Sequence, residues 1–220
     1  MNLEFWRSIN YILQDLIVIQ LCLVTGYAFF IKKYISDKYY PIIYYLIVSV
    51  CIEIISKVML KIDENSPYFI YLNFIYIPFE LIMLYWFFKN IFVDDKHIKF
   101  WTIANLIIIL IFSFFELLQN EPNSKNVSLL SAILNIVFLL YILYQLNLRF
   151  RGKLLYKIPE VIICFSFLIA FSILTIVFFI LPELIDYSRI MANQLLIFRH
   201  IINIIFYLLL GYGLNQKKNI

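Results

Sequence analysis

The stretch YLNFIYIPFELIMLYWFFKNIF, from Tyr71 to Phe92, is apolar over nearly its whole length, yet it carries a carboxylate, Glu80, near its middle. About 20 apolar residues are what an α-helix needs to cross the hydrocarbon core of a bilayer. A charged side chain at that depth is unfavourable and normally faces the interior of a bundle. The stretch therefore predicts a membrane-spanning helix whose Glu80 faces a polar partner.

The composition of the whole chain extends this prediction. Of 220 residues, 64% are hydrophobic and 15% are charged, and the mean hydropathy is +0.89. Soluble domains carry about 25% charged residues, so the composition indicates a membrane protein whose first partner is the lipid bilayer. The net charge of +4 indicates no nucleic-acid partner, because basic residues in membrane proteins mostly reflect topology.

Further apolar stretches of similar length divide the chain into seven predicted spans joined by short, charged connections. These connections leave no room for a soluble domain, so the predicted fold is all-α. It is a polytopic membrane helix bundle with seven transmembrane helices in a single domain, residues 1–220. The predicted spans are Tyr11–Ile31, Tyr40–Leu60, Tyr68–Lys89, Phe100–Leu118, Ser128–Leu146, Ile158–Leu181 and Ile190–Leu214.

The basic residues are distributed unequally between the two ends of the predicted helices. One end receives Lys32, Lys33, Lys38, Lys89, Lys96, Lys99, Arg149, Arg151, Lys153, Lys157, Lys217 and Lys218, and the other receives Arg7, Lys57, Lys61, Lys125 and Arg189. The positive-inside rule then predicts an N-terminus outside and a cytoplasmic C-terminus. The abundance of Ile, Phe, Tyr, Asn and Lys fits an AT-rich bacterial genome, so a bacterial plasma (inner) membrane is expected.

Four charged or titratable groups fall at similar depths on three of these helices. At about 1.5 Å per residue, Glu53 lies roughly 10 Å, Glu80 roughly 18 Å, and the pair Arg199 and His200 roughly 14–15 Å below the outer end. We therefore expect Glu53 or Glu80 to form a salt bridge with Arg199. His200 is the expected titrating member, and Asn203 is expected to bond to the same cluster.

Helical spacing adds polar neighbours to this cluster. Asn73, Tyr76 and Glu80 share one face of the third helix, and the second helix carries a stripe of Tyr45, Ser49, Glu53 and Ser56. The resulting candidate site for a ligand or proton comprises Glu53, Glu80, Arg199, His200, Asn203, Asn73, Tyr76 and Asn135. The alternative is that the charges only fix helix register, which buried ion pairs can do.

Three further features lead to local predictions. Pro78, two residues before Glu80, is expected to kink or loosen the third helix. The sixth helix has only Ser166, Ser172 and Thr175 as polar residues, so it is expected to face lipid more. The stretch from Gly211 to Gly213 is interpreted as the end of the last helix.

Enzyme functions are the least favoured class. The last helix has no lysine for a retinal Schiff base before Lys217, and no serine stands beside a glycine. A zinc hydrolase needs about three protein ligands, whereas the chain has only two histidines, His97 and His200, and no HExxH motif. No catalytic residue, metal or cofactor is therefore predicted.

The third helix, with FELIMLYWFFK after IYIP, and the seventh, with FRHIINIIFYLL, resemble a pattern in small seven-helix membrane proteins of Bacteroidota. The resemblance rests on Glu80, His200 and Asn203. Similar modules serve as sensor parts of histidine kinases in that group, so the resemblance implies a sensor-like membrane module. Because this chain shows no kinase or other output domain, a signal is expected to pass through the bundle or its basic cytoplasmic loops to a separate protein partner.

The leading functional hypothesis is thus a sensor or ligand-binding module with a polar intramembrane site, responding to a small ligand or a proton. A small proton-coupled transporter is the alternative, with Glu53, Glu80 and His200 as the relay. Histidine suits proton transfer because its ordinary pKa lies near neutral pH. A membrane-disrupting or pore-forming effector, for example of a defence system, is the third possibility.

Overall fold

The structure is a computed structural model that describes residues 3–62, 68–92, 96–119 and 124–216. Within these ranges it is all-α, and its seven helices are each long and apolar enough to cross a membrane, as predicted. This is the architecture of a multi-pass membrane protein. The helices are α1 (Leu3–Ile31), α2 (Tyr40–Ile62), α3 (Tyr68–Ile91), α4 (Lys96–Leu117), α5 (Ser124–Arg149), α6 (Pro159–Tyr187) and α7 (Arg189–Gln216).

Several helices extend beyond their apolar stretches. Helix α1 begins at Leu3 rather than at Tyr11, and α6 continues through Pro182 to Tyr187. Helix α7 also continues past Gly213 to Gln216, so the interpretation of the two glycines as a helix end is wrong. A helix satisfies its own backbone hydrogen bonds near the membrane whether its side chains are apolar or polar, so hydropathy does not mark where a helix ends.

The seven helices form a ring in chain order. Each helix packs against the next, and α7 packs back against α1. Helix α3 also contacts α5 directly. Among the described residues, α4 makes extensive contacts only with α3 and α5, so it lies on the outside of the α3–α5 pair. The ring leaves the inner faces of α1, α2, α3, α5, α6 and α7 turned toward one another.

Helix α6 is a central packing element and not the lipid-facing one that was expected. It lies between α5 and α7, and it contacts both extensively. The expectation was wrong because it equated polar content with burial, whereas lipid tails and apolar side chains are equally good neighbours for apolar residues. The apolar residues that α6 buries include Ile162, Ile163, Cys164, Phe167, Ala170, Phe171 and Val177.

One of the two glycines on α7, Gly213, allows the close approach of α6. A Cβ atom added at Gly213 would lie 2.9 Å from Cγ1 of Ile163 on α6, and one at Gly211 would lie 3.4 Å from Cγ1 of Val24 on α1. Small residues at such positions let membrane helices pack closely. The sequence contains no GxxxG motif, yet Gly213 serves the same purpose here, whereas the distance at Gly211 is that of an ordinary contact.

An aromatic layer crosses the bundle interior where α2, α6 and α7 meet. The ring centroids of Tyr45 and Phe167 are 5.1 Å apart, and those of Phe167 and Phe206 are 5.0 Å apart, both in edge-to-face geometry. All three side chains are buried. Such ring pairs add about 0.5–1.5 kcal/mol beyond the area that they bury, so this layer stabilises the packing of α2, α6 and α7.

Candidate functional site

Two neighbouring cavities lie in the half of the bundle that holds the start of α1 and the end of α2. The first cavity has a volume of about 210 Å³ and lies among α1, α2, α3 and α7. Its polar lining includes Gln14, Glu53, Asn73, Arg199, His200 and Asn203. The second cavity has a volume of about 110 Å³, lies among α3, α5, α6 and α7, and has Glu80 in its lining.

The wall between these cavities contains the predicted cation. Asn73, Tyr76 and Arg199 line both cavities. One carboxylate borders each cavity, Glu53 the first and Glu80 the second. The structure therefore brings seven of the eight predicted site residues to one continuous polar region, with the guanidinium between the two acids.

Arg199 does not form the expected salt bridge. In the part of the chain that the structure describes, no carboxylate is ion-paired with it, and its Nε is buried without a hydrogen-bond partner. Its guanidinium carbon instead lies 5.9 Å from the centroid of the Phe178 ring. Glu53 and Arg199 line the same first cavity without direct contact.

Glu80 has a different partner from the expected one. The Tyr45 hydroxyl donates a hydrogen bond of 3.0 Å to Oε1 of Glu80. The expected partners, Arg199 and His200, do not bond to it. The face of α3 that carries Glu80 is directed at Tyr45 on α2. The prediction used only the depth of each residue along its helix, and depth does not specify how a helix is rotated about its own axis.

A chain of hydroxyl groups leads to Glu80. Tyr76 donates to the Tyr45 hydroxyl at 3.2 Å, and Ser49 Oγ lies 3.0 Å from the Tyr76 hydroxyl. Because the Tyr76 proton is directed at Tyr45, Ser49 is the donor in its own bond. Tyr45 and Ser49 were placed on a polar stripe by the sequence but not included in the candidate site. Their spacing one turn apart, and one turn from Glu53, was the signal that could have added them.

His200 and Asn203 line the first cavity beside Arg199. His200 is buried, and its Nδ1 has no hydrogen-bond partner. Asn203 borders the same cavity but bonds neither to Arg199 nor to a glutamate, so the expected bond is absent from the described residues. Both residues therefore line the first cavity, and in the described part of the chain they do not bond to each other.

Asn135 is the one predicted site residue that lies outside both cavities. It is fully buried on α5, and its Nδ2 lies 3.3 Å from the Oγ of Ser131, one turn away. Ser131 does line the second cavity. Asn135 thus contacts a residue of the cavity lining without lining the cavity itself, and its own Oδ1 has no hydrogen-bond partner.

Pro78 is buried on α3, two residues from Tyr76 and two residues from Glu80. Helix α3 is continuous through Pro78, so the proline does not interrupt the helix where a loosened turn was expected. A proline removes the hydrogen bond to the carbonyl four residues earlier, which belongs to Phe74. The neighbouring residue Ile77 lines the second cavity.

Polar contacts between α1 and its neighbours frame the first cavity. The Lys57 ammonium on α2 is ion-paired with Asp15 on α1. Asn10 Nδ2 donates to Asn193 Oδ1 at 2.7 Å, and Gln20 Nε2 donates to the Ile204 carbonyl at 2.7 Å. Hydrogen bonds between membrane helices contribute about 0.6 kcal/mol on average, so these contacts align α1 more than they stabilise it.

The arrangement is suited to binding and to proton transfer. Across the described ranges, no group of three or more His, Cys, Asp or Glu side chains is placed to hold a metal ion. Comparison of the chain with protein-family models, with curated proteins and with solved structures finds no match. The chemistry of the two cavities therefore carries the functional argument.

Proposed function

We propose that the protein is a ligand-binding sensor module of a bacterial plasma membrane, with its N-terminus outside and its C-terminus in the cytoplasm. The ligand site comprises the two central cavities. The observation that carries the proposal is the position of Arg199, which borders both cavities, is close to two acids and yet has no ion-pair partner among the described residues.

The chemistry of the first cavity favours a small zwitterionic ligand. A guanidinium binds carboxylates in a bidentate geometry, so Arg199 and the unpartnered His200 fit an anionic group. Glu53 on the opposite wall would repel a simple anion and attract an ammonium group. A molecule with both groups, such as a free amino acid, satisfies both walls.

The same geometry supplies a route for a signal. Glu53 lies on α2 and Arg199 on α7, and a ligand that contacts both connects these two helices. Helix α2 begins and α7 ends at the opposite, basic end of the bundle, where a separate protein partner would read the change. Such a signal requires that the protein has two conformations. A ligand shifts the equilibrium between them only if it binds the two conformations with different affinity.

Thermal unfolding of the purified protein in detergent tests this proposal. Free L-amino acids at millimolar concentration are the probes, and at least one is expected to raise the Tm of the wild-type protein. Arg199→Gln and Glu53→Gln should each abolish that increase. Arg189→Gln is the matched control, because Arg189 is an exposed basic residue at the start of the same helix. If no amino acid raises the Tm, or if Arg189→Gln removes the effect equally, the proposal is wrong.

A proton-coupled carrier is the second candidate, and the hydroxyl chain favours it. Ser49, Tyr76 and Tyr45 form a directed series of donors that ends on Glu80. Intramembrane carboxylates commonly belong to proton relays. Proton uptake into liposomes that contain only this protein would support the carrier, provided that Tyr45→Phe and Glu80→Gln both slow the uptake. Unchanged uptake in both variants would exclude this relay.

A further inference from the structure

We infer that the opposite end of the bundle holds a second, separate site, which binds the phosphate group of an anionic ligand. This site, called the basic pocket, is a cavity of about 530 Å³ at the start of α6. Its basic lining residues are Lys38, Arg149, Lys153 and Lys157. Ligand sites in proteins commonly enclose about 300–1,000 Å³, so the pocket is large enough for a lipid headgroup or a small phosphorylated molecule.

The charge of the basic pocket is strongly positive. Four basic side chains and one carboxylate, Glu160, line it, which leaves a net charge of +3. Glu160 is already satisfied, because Lys38 is ion-paired with it at 2.7 Å and the Tyr39 hydroxyl donates to it at 2.5 Å. Arg149, Lys153 and Lys157 have no ion-pair partner among the described carboxylates. Counted over the described residues, three cations therefore remain for a ligand.

Two of the basic residues are held in fixed positions. Arg149 Nη1 donates to the carbonyl of Ile91 at 2.5 Å, which satisfies a backbone acceptor at the end of α3. A guanidinium has five donors, so Arg149 keeps others for the pocket. Lys38 is fixed by Glu160. Lys38 remains paired with Glu160, whereas Arg149 is a preorganised cation that binds an anion with a smaller loss of side-chain freedom than a free lysine would.

A tight turn brings the other two lysines to the same pocket. Gly152 has a φ of +84°, the left-handed region that favours glycine. The turn places the Lys153 amide within 3.0 Å of the Phe150 carbonyl and its ammonium 5.8 Å from the centre of the Phe150 ring. Lys157 follows at the end of a short 3-10 helix, Leu155–Lys157, and its ammonium lies 5.8 Å from the Tyr156 ring centre. The loop thus folds back over the end of α5 and the start of α6.

Exposed apolar side chains beside the cations indicate whether the phosphate group belongs to a lipid or to a soluble molecule. Leu154 is 56% exposed and Tyr156 is 63% exposed, and both flank the lysines of the pocket. Basic pockets between membrane helices on the cytoplasmic side bind anionic headgroups. Lipid phosphates are therefore the favoured source, with acyl chains along these exposed apolar side chains. A soluble phosphorylated molecule has the same chemistry and is the second source.

Titration of the purified protein in detergent, with thermal stability and native mass spectrometry as the readouts, tests this site. The lipid probes are cardiolipin, which carries two phosphate groups, and the zwitterionic lipid phosphatidylcholine as the reference. The soluble probes are inorganic phosphate and pyrophosphate. The test variant is the double substitution Lys153→Gln with Lys157→Gln. The matched control is Arg151→Gln, which removes an exposed basic residue of the same loop that does not line the pocket.

The wild-type protein is expected to bind cardiolipin in preference to phosphatidylcholine. The double variant should weaken that binding at least ten-fold, and Arg151→Gln should change it less than two-fold. Binding of pyrophosphate with the same dependence on the lysines would assign the site to a soluble phosphate ligand and would still support it. The inference is overturned if none of the phosphate probes binds above the reference, or if Arg151→Gln weakens binding as much as the double variant.

Discussion

The Tyr45 hydroxyl lies 3.0 Å from the Glu80 carboxylate and donates a hydrogen bond to it inside the bundle. This contact connects α2 to α3 and is the only hydrogen bond to the Glu80 side chain from the described residues. Tyr45→Phe removes the donor but keeps the ring that packs against Phe167. We expect it to lower the free energy of unfolding by about 1.5–3 kcal/mol, the usual range for a hydrogen bond to a charged group.

Thermal or chemical unfolding of the purified protein measures this effect. Tyr44→Phe is the matched control, because Tyr44 is the preceding residue on α2 but stacks on Trp86 near the surface and does not reach Glu80. It should change stability by less than about 0.5 kcal/mol. Equal effects of the two substitutions would show that the Tyr45–Glu80 bond contributes nothing.

The sequence was sufficient to predict most of the polar residues that line the two central cavities, but not the bonds between them. The rule that polar residues on a membrane helix face the bundle interior placed Glu53, Glu80, Arg199 and His200 in one region correctly. The pairing failed because it depends on the rotation of each helix about its axis. A rotation of one residue turns Glu80 by about 100°, enough to exchange Arg199 for Tyr45 as its neighbour.

Arg199→Met is expected to leave the stability of the protein nearly unchanged, within about 1 kcal/mol. Replacement of buried charges by apolar residues of similar volume is often neutral or stabilising, whereas removal of one member of a buried salt bridge costs about 3–5 kcal/mol. Arg199 has no such partner in the described ranges. Unfolding in detergent, followed by tryptophan fluorescence, gives the comparison with the wild type. A loss in the range of a broken salt bridge would show that Glu53 or Glu80 pairs with Arg199 after all.

Lys38 and Glu160 provide the contrasting case, because they are in direct contact at the edge of the basic pocket. Among the described residues, Lys38→Met leaves the buried Glu160 carboxylate with only the Tyr39 hydroxyl as a side-chain donor. We expect a loss of about 1–3 kcal/mol from the unsatisfied acceptor. Adding Glu160→Gln to the same protein should recover part of that loss.

A double-mutant cycle of these two substitutions isolates their coupling. Residues in direct contact show interaction energies of about 0.5–3 kcal/mol. Lys33→Met combined with Glu160→Gln is the control cycle, because Lys33 lies over the rings of Phe30 and Tyr34 and not at Glu160. Strict additivity in the Lys38 cycle would contradict the ion pair.

The secondary structure was predictable from the sequence, since seven apolar stretches of about 20 residues have few folded alternatives in lipid. The arrangement of the helices was not. Helix α6 lies between α5 and α7 because its Ile, Phe and Ala side chains interlock with theirs, and hydropathy contains no information about such shape complementarity. The buried position of α6 therefore contradicted an expectation based on its few polar groups.

Membrane orientation is open to a direct labelling experiment on intact cells. In a variant without Cys22, Cys51 and Cys164, a cysteine at Tyr187, which is the last residue of α6 and is 84% exposed, should react with a membrane-impermeant maleimide from outside. A cysteine at Gly152 should react only after the membrane is opened. The expectation follows from the excess of basic residues at the Gly152 end. The reverse labelling pattern would invert the proposed topology.

Gly213 offers the sharpest test of how α6 and α7 pack. A Cβ atom at this position would lie 2.9 Å from Cγ1 of Ile163, which is fully buried and cannot move without disturbing α5 and α6. Gly213→Ala is therefore expected to lower the free energy of unfolding by about 1–3 kcal/mol, as overpacking does. Gly26→Ala is the control, because the space around Gly26 is open.

In the control, alanine should improve helix stability by up to about 1 kcal/mol, so the two glycine substitutions are expected to act in opposite directions. Ile163→Ala removes the clashing Cγ1 atom and should make Gly213→Ala much less harmful in the double variant than in the single one. Unfolding curves of the four variants, with the protein in the same detergent, provide the measurement. If Gly213→Ala stabilises the protein as Gly26→Ala does, α6 and α7 do not approach each other as closely as the structure shows.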